Sequence, residues 1–238
     1  MKKIQKKYTF AVIASDVVIF TIRENKLNVL LIKMQKEPFK ENYWAAPGGL
    51  IKPSESVETS AQRNLFEKTG VRNVYLEQLY TFGDIDRDPF GRVVSVAYFA
   101  LIPSDAIRLK TTKEYGDVQW FEIDRLPKLA YDHKQIIATA CERLQKKLEY
   151  SNIAYSLLPK KFPLSELQRT YEIILKKRLD KRNFRKKIFS LGLVIKTNTT
   201  EKLININKCK SAANQKLLFR KNLNNALCIK YIHYFSRF

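Results

Sequence analysis

The sequence predicts an α/β layered domain over residues 1–150, a small and strongly basic helix-turn-helix domain over residues 151–221, and an extension over residues 222–238. Three observations carry this. Strand-like apolar runs dominate the first part, and two helical patterns interrupt them, as in a mixed layered fold. Charge is split unevenly: residues 1–150 hold 24 Lys and Arg against 19 Asp and Glu, a net of +5, while residues 151–238 hold 20 against 4, a net of +16. Two short helical patterns joined by a tight connection lie in the basic part, which suits a helix-turn-helix.

Tyr8–Arg23 and Asn28–Met34 are β-rich runs, and Glu24-Asn25-Lys26 between them suits a hairpin. Tyr43–Ala46 leads into a loop punctuated by Pro47-Gly48-Gly49 and Pro53. A helix follows, with Ser54 or Ser56 as its cap, Val57, Ala61 and Leu65 facing inward, and Gly70 as its stop. Strands are expected near Val74–Phe82, Val93–Ile102 and Val118–Ile123. Tyr131–Tyr150 closes the domain as a helix, with Ile136, Ile137, Ala140, Leu144 and Leu148 at helical spacing. In the basic part, Ser165 can cap a helix with Leu167, Tyr171, Ile174 and Leu175 inward. After the short connection Lys176–Leu179, Asp180 can cap a second helix through Ser190, with Phe184, Ile188 and Leu191 inward.

Residues Gly49–Val71 read GLIKPSESVETSAQRNLFEKTGV. This resembles the Nudix box, G-x5-E-x7-R-E-U-x-E-E-x-G-U with U aliphatic. Gly49, Glu55, Arg63, Leu65, Glu67, Gly70 and Val71 match in register, but Asn64 and Lys68 stand where two of the acids belong. In active Nudix enzymes, the resemblance implies, three carboxylates on one helix face hold divalent cations that bridge a pyrophosphate and activate water. Asn64, Glu67 and Lys68 are spaced to share that face, and their formal charge sums to zero instead of −3. No catalytic residue is therefore expected among the box positions Gly49, Glu55, Arg63 and Glu67. Glu67 is the one metal ligand left, no cofactor is required, and Mg2+ would enter only if the chain were hydrolytic. Glu55 is expected to pair with Arg63. Lys68 can meet the phosphates of a ligand as a point charge, or read simply as a solvated helix residue.

The loop Gly83–Arg92 concentrates Asp, Arg, Gly and Pro between two strands, a composition that also suits a solvated hairpin. The stretch YLEQLYTFGDIDRDPFGRVVSVAYFAL is similar to a subgroup of the family, the Nudix-related transcriptional regulators. These include NrtR-like regulators of NAD metabolism and sugar-utilisation regulators. The similarity brings the loop near the ligand pocket. Candidate ligand-binding residues are Lys68, Arg63 and Glu67 from the box and Asp86, Arg87 and Arg92 from the loop. A second resemblance lies in Ser165–Gln168 (SELQ) and Asp180–Lys187 (DKRNFRKK), which match the winged-helix module of the same regulators. The candidate DNA-binding residues are Lys181, Arg182, Asn183, Arg185, Lys186 and Lys187, because basic groups meet phosphates and Arg or Asn can read base edges. Leu217–Arg220 is expected to close the wing, although Lys210-Ser211-Ala212 stands where the family often has a Gly-Arg-Pro turn.

The resemblance thus implies an α/β/α Nudix fold with a mixed sheet, then a small α+β winged-helix domain. It implies a ligand-sensing regulator with operator DNA and an ADP-ribose-like effector as partners, acting as a homodimer. Two other readings stay open: a Nudix pyrophosphohydrolase drawing acids from Asp84, Asp86 or Asp88, and a sugar-responsive regulator. A lysine-rich coding bias, visible from Thr197 onward, would also raise the charge. Cys141, Cys209 and Cys228 form no metal spacing or even disulfide set, so a reducing cytoplasm is expected. The N-terminal apolar run is broken by Asp16 and reads as a strand, and no run is long enough to span a membrane. His133 and His233 are read as structural, Trp44 and Trp120 as core or pocket wall, and residues 222–238 as an extra helix or a dimer contact.

Overall fold

The computed structural model describes residues 10–103, 116–202 and 215–221. The extension 222–238, the Lys210–Ala212 turn, His233, Cys209 and Cys228 lie outside these. The chain divides into two compact units. The first takes the described residues up to Phe20, then Asn28–Ala100 and the segment running to Ala140. The second takes Thr21–Leu27, the residues following Ala100, and the chain from Cys141.

The elements of the first part are β1 (Val12–Arg23), β2 (Lys26–Lys33), β3 (Trp44–Ala45), β4 (Gly48–Leu50), α1 (Val57–Thr69), β5 (Glu77–Phe82), β6 (Val93–Leu101), β7 (Val118–Glu122) and α2 (His133–Tyr150). The strands form one sheet in the order β3-β2-β1-β6-β5, with β4 also on β1 and β7 also on β2. In β1, Val17, Val18, Ile19 and Phe20 are each 0% exposed, so both faces of the strand are covered. Glu24 (φ 50°) and Asn25 (φ 62°) both lie in the left-handed region, as a two-residue hairpin turn requires. Lys26 therefore opens β2 instead of completing the turn. Gly48–Leu50, expected as loop, is a short strand antiparallel to Ala14–Asp16.

α1 is capped as its sequence suggests. Ser56 Oγ accepts from Thr59 N at 3.1 Å, and Gly70 ends the helix at φ 76° with its N–H on Phe66 O. Ala61 and Leu65 are buried, and Ser60 and Asn64 are buried beside them.

The second part holds β8 (Phe162–Pro163), α3 (Leu164–Leu175), α4 (Lys181–Ser190), β9 (Val194–Lys202) and β10 (Gln215–Lys221), with the sheet ordered β8-β10-β9. Leu217–Arg220 falls in β10, antiparallel to β9. Ser165 does not cap α3. Pro163 takes that position because it is held in β8 opposite Leu218, and the chain turns from strand straight into helix. Leu167, Tyr171, Ile174, Phe184 and Ile188 are buried, and the Tyr171 and Phe184 rings meet edge to face at 5.5 Å. Leu175 and Leu191, expected inward, are only half-buried because they sit at the last turns of their helices. Tyr155 is buried and its hydroxyl has no hydrogen-bond partner among the described residues. Tyr155→Phe should therefore leave stability unchanged or raise it by about 1 kcal/mol in urea unfolding. A comparable loss would show that the hydroxyl is bonded after all.

Candidate functional site

A cavity of about 510 Å³ opens in the first unit, walled by β1, β4, the Arg87–Val93 segment and the start of α2. Strand alternation builds its wall. Val12, Ala14 and Asp16 of β1 line it, whereas Ser15 points to α1, where its hydroxyl donates to Ser60 Oγ at 3.1 Å. Lys36, Lys68, Arg87 and Arg92 line the cavity against only Asp16 and Asp88, so its formal charge favours an anion.

Asp16 is the centre of a buried polar cluster. It is 5% exposed, and Ser95 Oγ donates to its Oδ2 at 2.5 Å. Arg87 donates through Nε and Nη2 to both oxygens of Asp132, at 2.8 and 2.7 Å, and its Nη2 lies 3.5 Å from Asp16 Oδ2. Burial opposes the charge of Arg87, but Asp132 with Asp16 behind it more than offsets this and raises its pKa. His133 Nδ1 accepts from Ala46 N at 2.9 Å, which leaves the ring proton on Nε2, 3.7 Å from Asp16 Oδ1. Burial lowers the His133 pKa below its ordinary value, with Arg87 and Lys68 adding to the effect against Asp16 and Asp132. A side chain at Gly48 would collide with Asp16, so glycine is required for β4 to close on β1.

The expected ligand set divides here. Lys68, Arg87 and Arg92 line the cavity; Arg63, Glu67 and Asp86 do not. Arg63 is held on the flank of α1 by Glu55, at 2.6 Å, and by Glu67, at 3.0 Å. Asp86 is exposed in its loop. Lys68 Nζ donates to the Gly48 carbonyl, so it is no free solvated cation. Asp16, Asp132 and His133 were not among the candidates. The signal for Asp16 was available: a carboxylate inside a strand buried on both faces needs partners. His133, read as structural, is both a support for Ala46 and part of the cavity wall.

The box positions do not share one environment. Asn64 is buried at 3% exposure, and its Nδ2 donates to Ser15 Oγ, Ser60 Oγ and Gly49 O at 3.2–3.4 Å. Glu67 is half exposed on the Arg63 side. The three positions that would hold Mg2+ thus offer one carboxylate, already paired, with an amide and an ammonium. This donor set does not fit a hard divalent cation. Of the alternative acids, only Asp88 lines the cavity, and among the described residues no group of three or more His, Cys, Asp or Glu could hold a metal.

The Glu55–Arg63 pair found in the structure has a pH signature. Arg63 holds the Glu55 pKa down at about 2. A carboxylate depressed on folding stabilises above its unfolded pKa of about 4.3 and loses that stabilisation as pH falls through the folded value. Glu55→Gln should therefore shrink the loss of thermal stability between those two limits, read as the midpoint against pH. An unchanged acid limb would remove the pair from the stability of the fold.

In the second unit, Asp180 Oδ1 accepts from Asn183 N at 2.8 Å and caps α4. Lys181, Arg182, Asn183, Arg185 and Lys186 are exposed. Lys187 is half-buried, and burial lowers its pKa, which sets it apart from the exposed basic face.

Residues 13–140 match the NUDIX domain family, and residues 154–206 match the NrtR DNA-binding winged helix domain. The ADPR responsive transcriptional repressor NtrR of Acinetobacter baylyi is 36% identical over 198 residues, covering 82% of this chain and 78% of the relative. This chain belongs to the NrtR family. The crystal structure of Shewanella oneidensis NrtR complexed with a 27mer DNA has a TM-score of 0.74 at 33% identity, covering 90% of this chain and 95% of that one. The NUDIX domain of S. oneidensis NrtR complexed with ADP ribose has a TM-score of 0.53 at 37% identity, covering 59% of this chain and 92% of that one. The NrtR pattern of a Nudix domain followed by a winged helix accounts for the described elements from β1 to β10. No helix of the described residues is long and apolar enough to cross a membrane.

Proposed function

We propose that this chain is an ADP-ribose-responsive transcriptional repressor, whose Nudix domain binds ADP-ribose without cleaving it and whose winged helix holds operator DNA. One observation carries the reading: a cavity lined by four cations survives beside a box helix whose three metal positions supply a single, already paired carboxylate. The cations suit a pyrophosphate, with Lys68, Arg92 and Arg87 Nη1 as donors. Nη1 makes none of the bonds that tie Arg87 to Asp132 and Asp16. Asp16 and Asp88 suit sugar hydroxyls as acceptors. A neutral monosaccharide would make no use of the excess of cations over acids in the cavity wall, which disfavours a sugar effector.

The names of the relatives support the same reading, one as an ADP-ribose-responsive repressor and one as complexes with DNA and with ADP ribose. On this reading α4 enters the DNA with Lys181, Arg182, Asn183, Arg185 and Lys186, and no metal cofactor is needed. The protein acts in the cytoplasm as a homodimer on a two-fold-symmetric site, where effector binding changes DNA affinity only by favouring one arrangement of the two heads. Calorimetry should show ADP-ribose binding without Mg2+, and the ligand should stay intact on long incubation with Mg2+. Release of AMP would return the chain to the hydrolases.

A further inference from the structure

We infer that the α3–α4 turn is a second DNA contact, a grip on the sugar-phosphate backbone whose shape is set by Gln168 and Glu172. The inference rests on the DNA-binding reading of the winged helix. A groove of about 830 Å³ lies along α3 and the turn, and Arg169, Lys176, Lys177, Arg178 and Lys181 line it with Glu172 as the one acid. All five cations are exposed, and Lys181 belongs both to this groove and to the basic face of α4. The groove is therefore continuous with the surface that meets the DNA.

The turn is held by side chains, not by a second turn of helix. Lys176 ends α3 in the left-handed region at φ 54°. Three residues later, Leu179 has both of its backbone polar groups taken by one face of α3. Its N–H donates to Glu172 Oε1 at 2.9 Å, and its C=O accepts from Gln168 Nε2 at 2.9 Å. Gln168 Nε2 also donates to Glu172 Oε1 at 3.1 Å, which ties the two side chains together four residues apart. Arg178 Nη1 stands 3.7 Å from Glu172 Oε2. A carboxylate at this place lowers the attraction of the groove for DNA. Its contribution is geometric: it fixes the peptide that carries Leu179, and with it the spacing of Lys176, Lys177 and Arg178 ahead of the Asp180 cap. Phosphates lie at fixed intervals along the duplex, so cations held at fixed spacing meet more of them than cations on a loose turn.

The test is binding to a long mixed-sequence duplex as a function of salt, since a backbone grip is blind to sequence. Each lost phosphate contact lowers the slope of log affinity against log salt by about 0.9. Lys177→Gln with Arg178→Gln should lower the slope by up to about 1.8. Glu172→Gln and Glu172→Ala carry the same charge, but only glutamine keeps an acceptor for Leu179 N–H. Glu172→Gln should keep the wild-type slope with equal or tighter binding, and Glu172→Ala should lose as much slope as the double lysine–arginine variant. If Glu172→Ala loses its helical circular dichroism, Gln168→Met removes the bond to Leu179 O instead and should also lower the slope. A wild-type slope in the double variant overturns the grip. Equal slopes in the two Glu172 variants, or a wild-type slope in Gln168→Met, overturn the clasp. Failure of the wild-type chain to bind any duplex overturns the grip and the DNA-binding reading together.

Discussion

Arg87→Met is expected to cost about 3–5 kcal/mol of stability and to abolish ADP-ribose binding. The substitution keeps an unbranched apolar stem but removes the guanidinium, and so leaves Asp16 and Asp132 without their shared cation. Both carboxylates are largely buried, so neither can be rescued by water alone. The deficit should itself depend on pH. In the wild-type protein burial keeps His133 neutral, so its contribution is present above its unfolded pKa of about 6.5 and falls away below it. Removal of Arg87 removes one of the groups that lower the His133 pKa, and the ring stands 3.7 Å from Asp16. Burial still lowers the pKa of the ring, and a proton on Nδ1 would face the Ala46 N–H. The variant should therefore also lose stability as pH falls below neutrality, but less steeply than the wild type, and its deficit should narrow. Urea unfolding across that range measures both effects, and a variant with wild-type stability would show that the cluster does not hold the cavity.

The double change Asn64→Glu with Lys68→Glu is the second large effect. It restores the acids of the box but meets a site rebuilt around their absence. At position 64 a carboxylate replaces three donated hydrogen bonds and faces the Gly49 carbonyl. At position 68 it faces the Gly48 carbonyl, where the lysine now donates. Stability without metal should fall by about 3 kcal/mol or more. Mg2+ should raise the melting temperature of this variant and leave that of the wild-type protein unchanged, because only the variant offers clustered carboxylates. Hydrolysis of ADP-ribose by the variant would show that the cavity lost only its ligands. A variant that Mg2+ does not stabilise would mean that the acids, once replaced, no longer converge.

The fold was legible in the sequence wherever local chemistry decides it. Ser56 and Gly70 mark the ends of α1, Asp180 opens α4, helical spacing of apolar residues finds α2, and β-rich apolar runs find most strands. Ser165 misled because its preference for a cap is local, while the pairing of Pro163 with Leu218 spans the whole winged helix. The same limit applies to the site. Box positions 64, 67 and 68 were expected on one face from helical spacing, yet β1 and β4 cover Asn64, while Glu67 stays half exposed and paired with Arg63. Arg87 was found because its loop is dense in charge. Its partners Asp16 and Asp132 are far away in sequence, and nothing local joins them to it. The clasp of Gln168 and Glu172 on Leu179 was equally hidden, since it needs a turn whose path no single residue dictates.

The most direct test is fluorescence anisotropy of the wild-type protein on a duplex from its own upstream region, at two salt concentrations, with and without ADP-ribose. An ADP-ribose-responsive repressor binds that duplex in preference to a scrambled one and releases it when ADP-ribose is added. Binding that is weak, indifferent to sequence, abolished by salt and unmoved by ADP-ribose would reduce the net +16 of residues 151–238 to generic attraction for polyanions and contradict the proposed function.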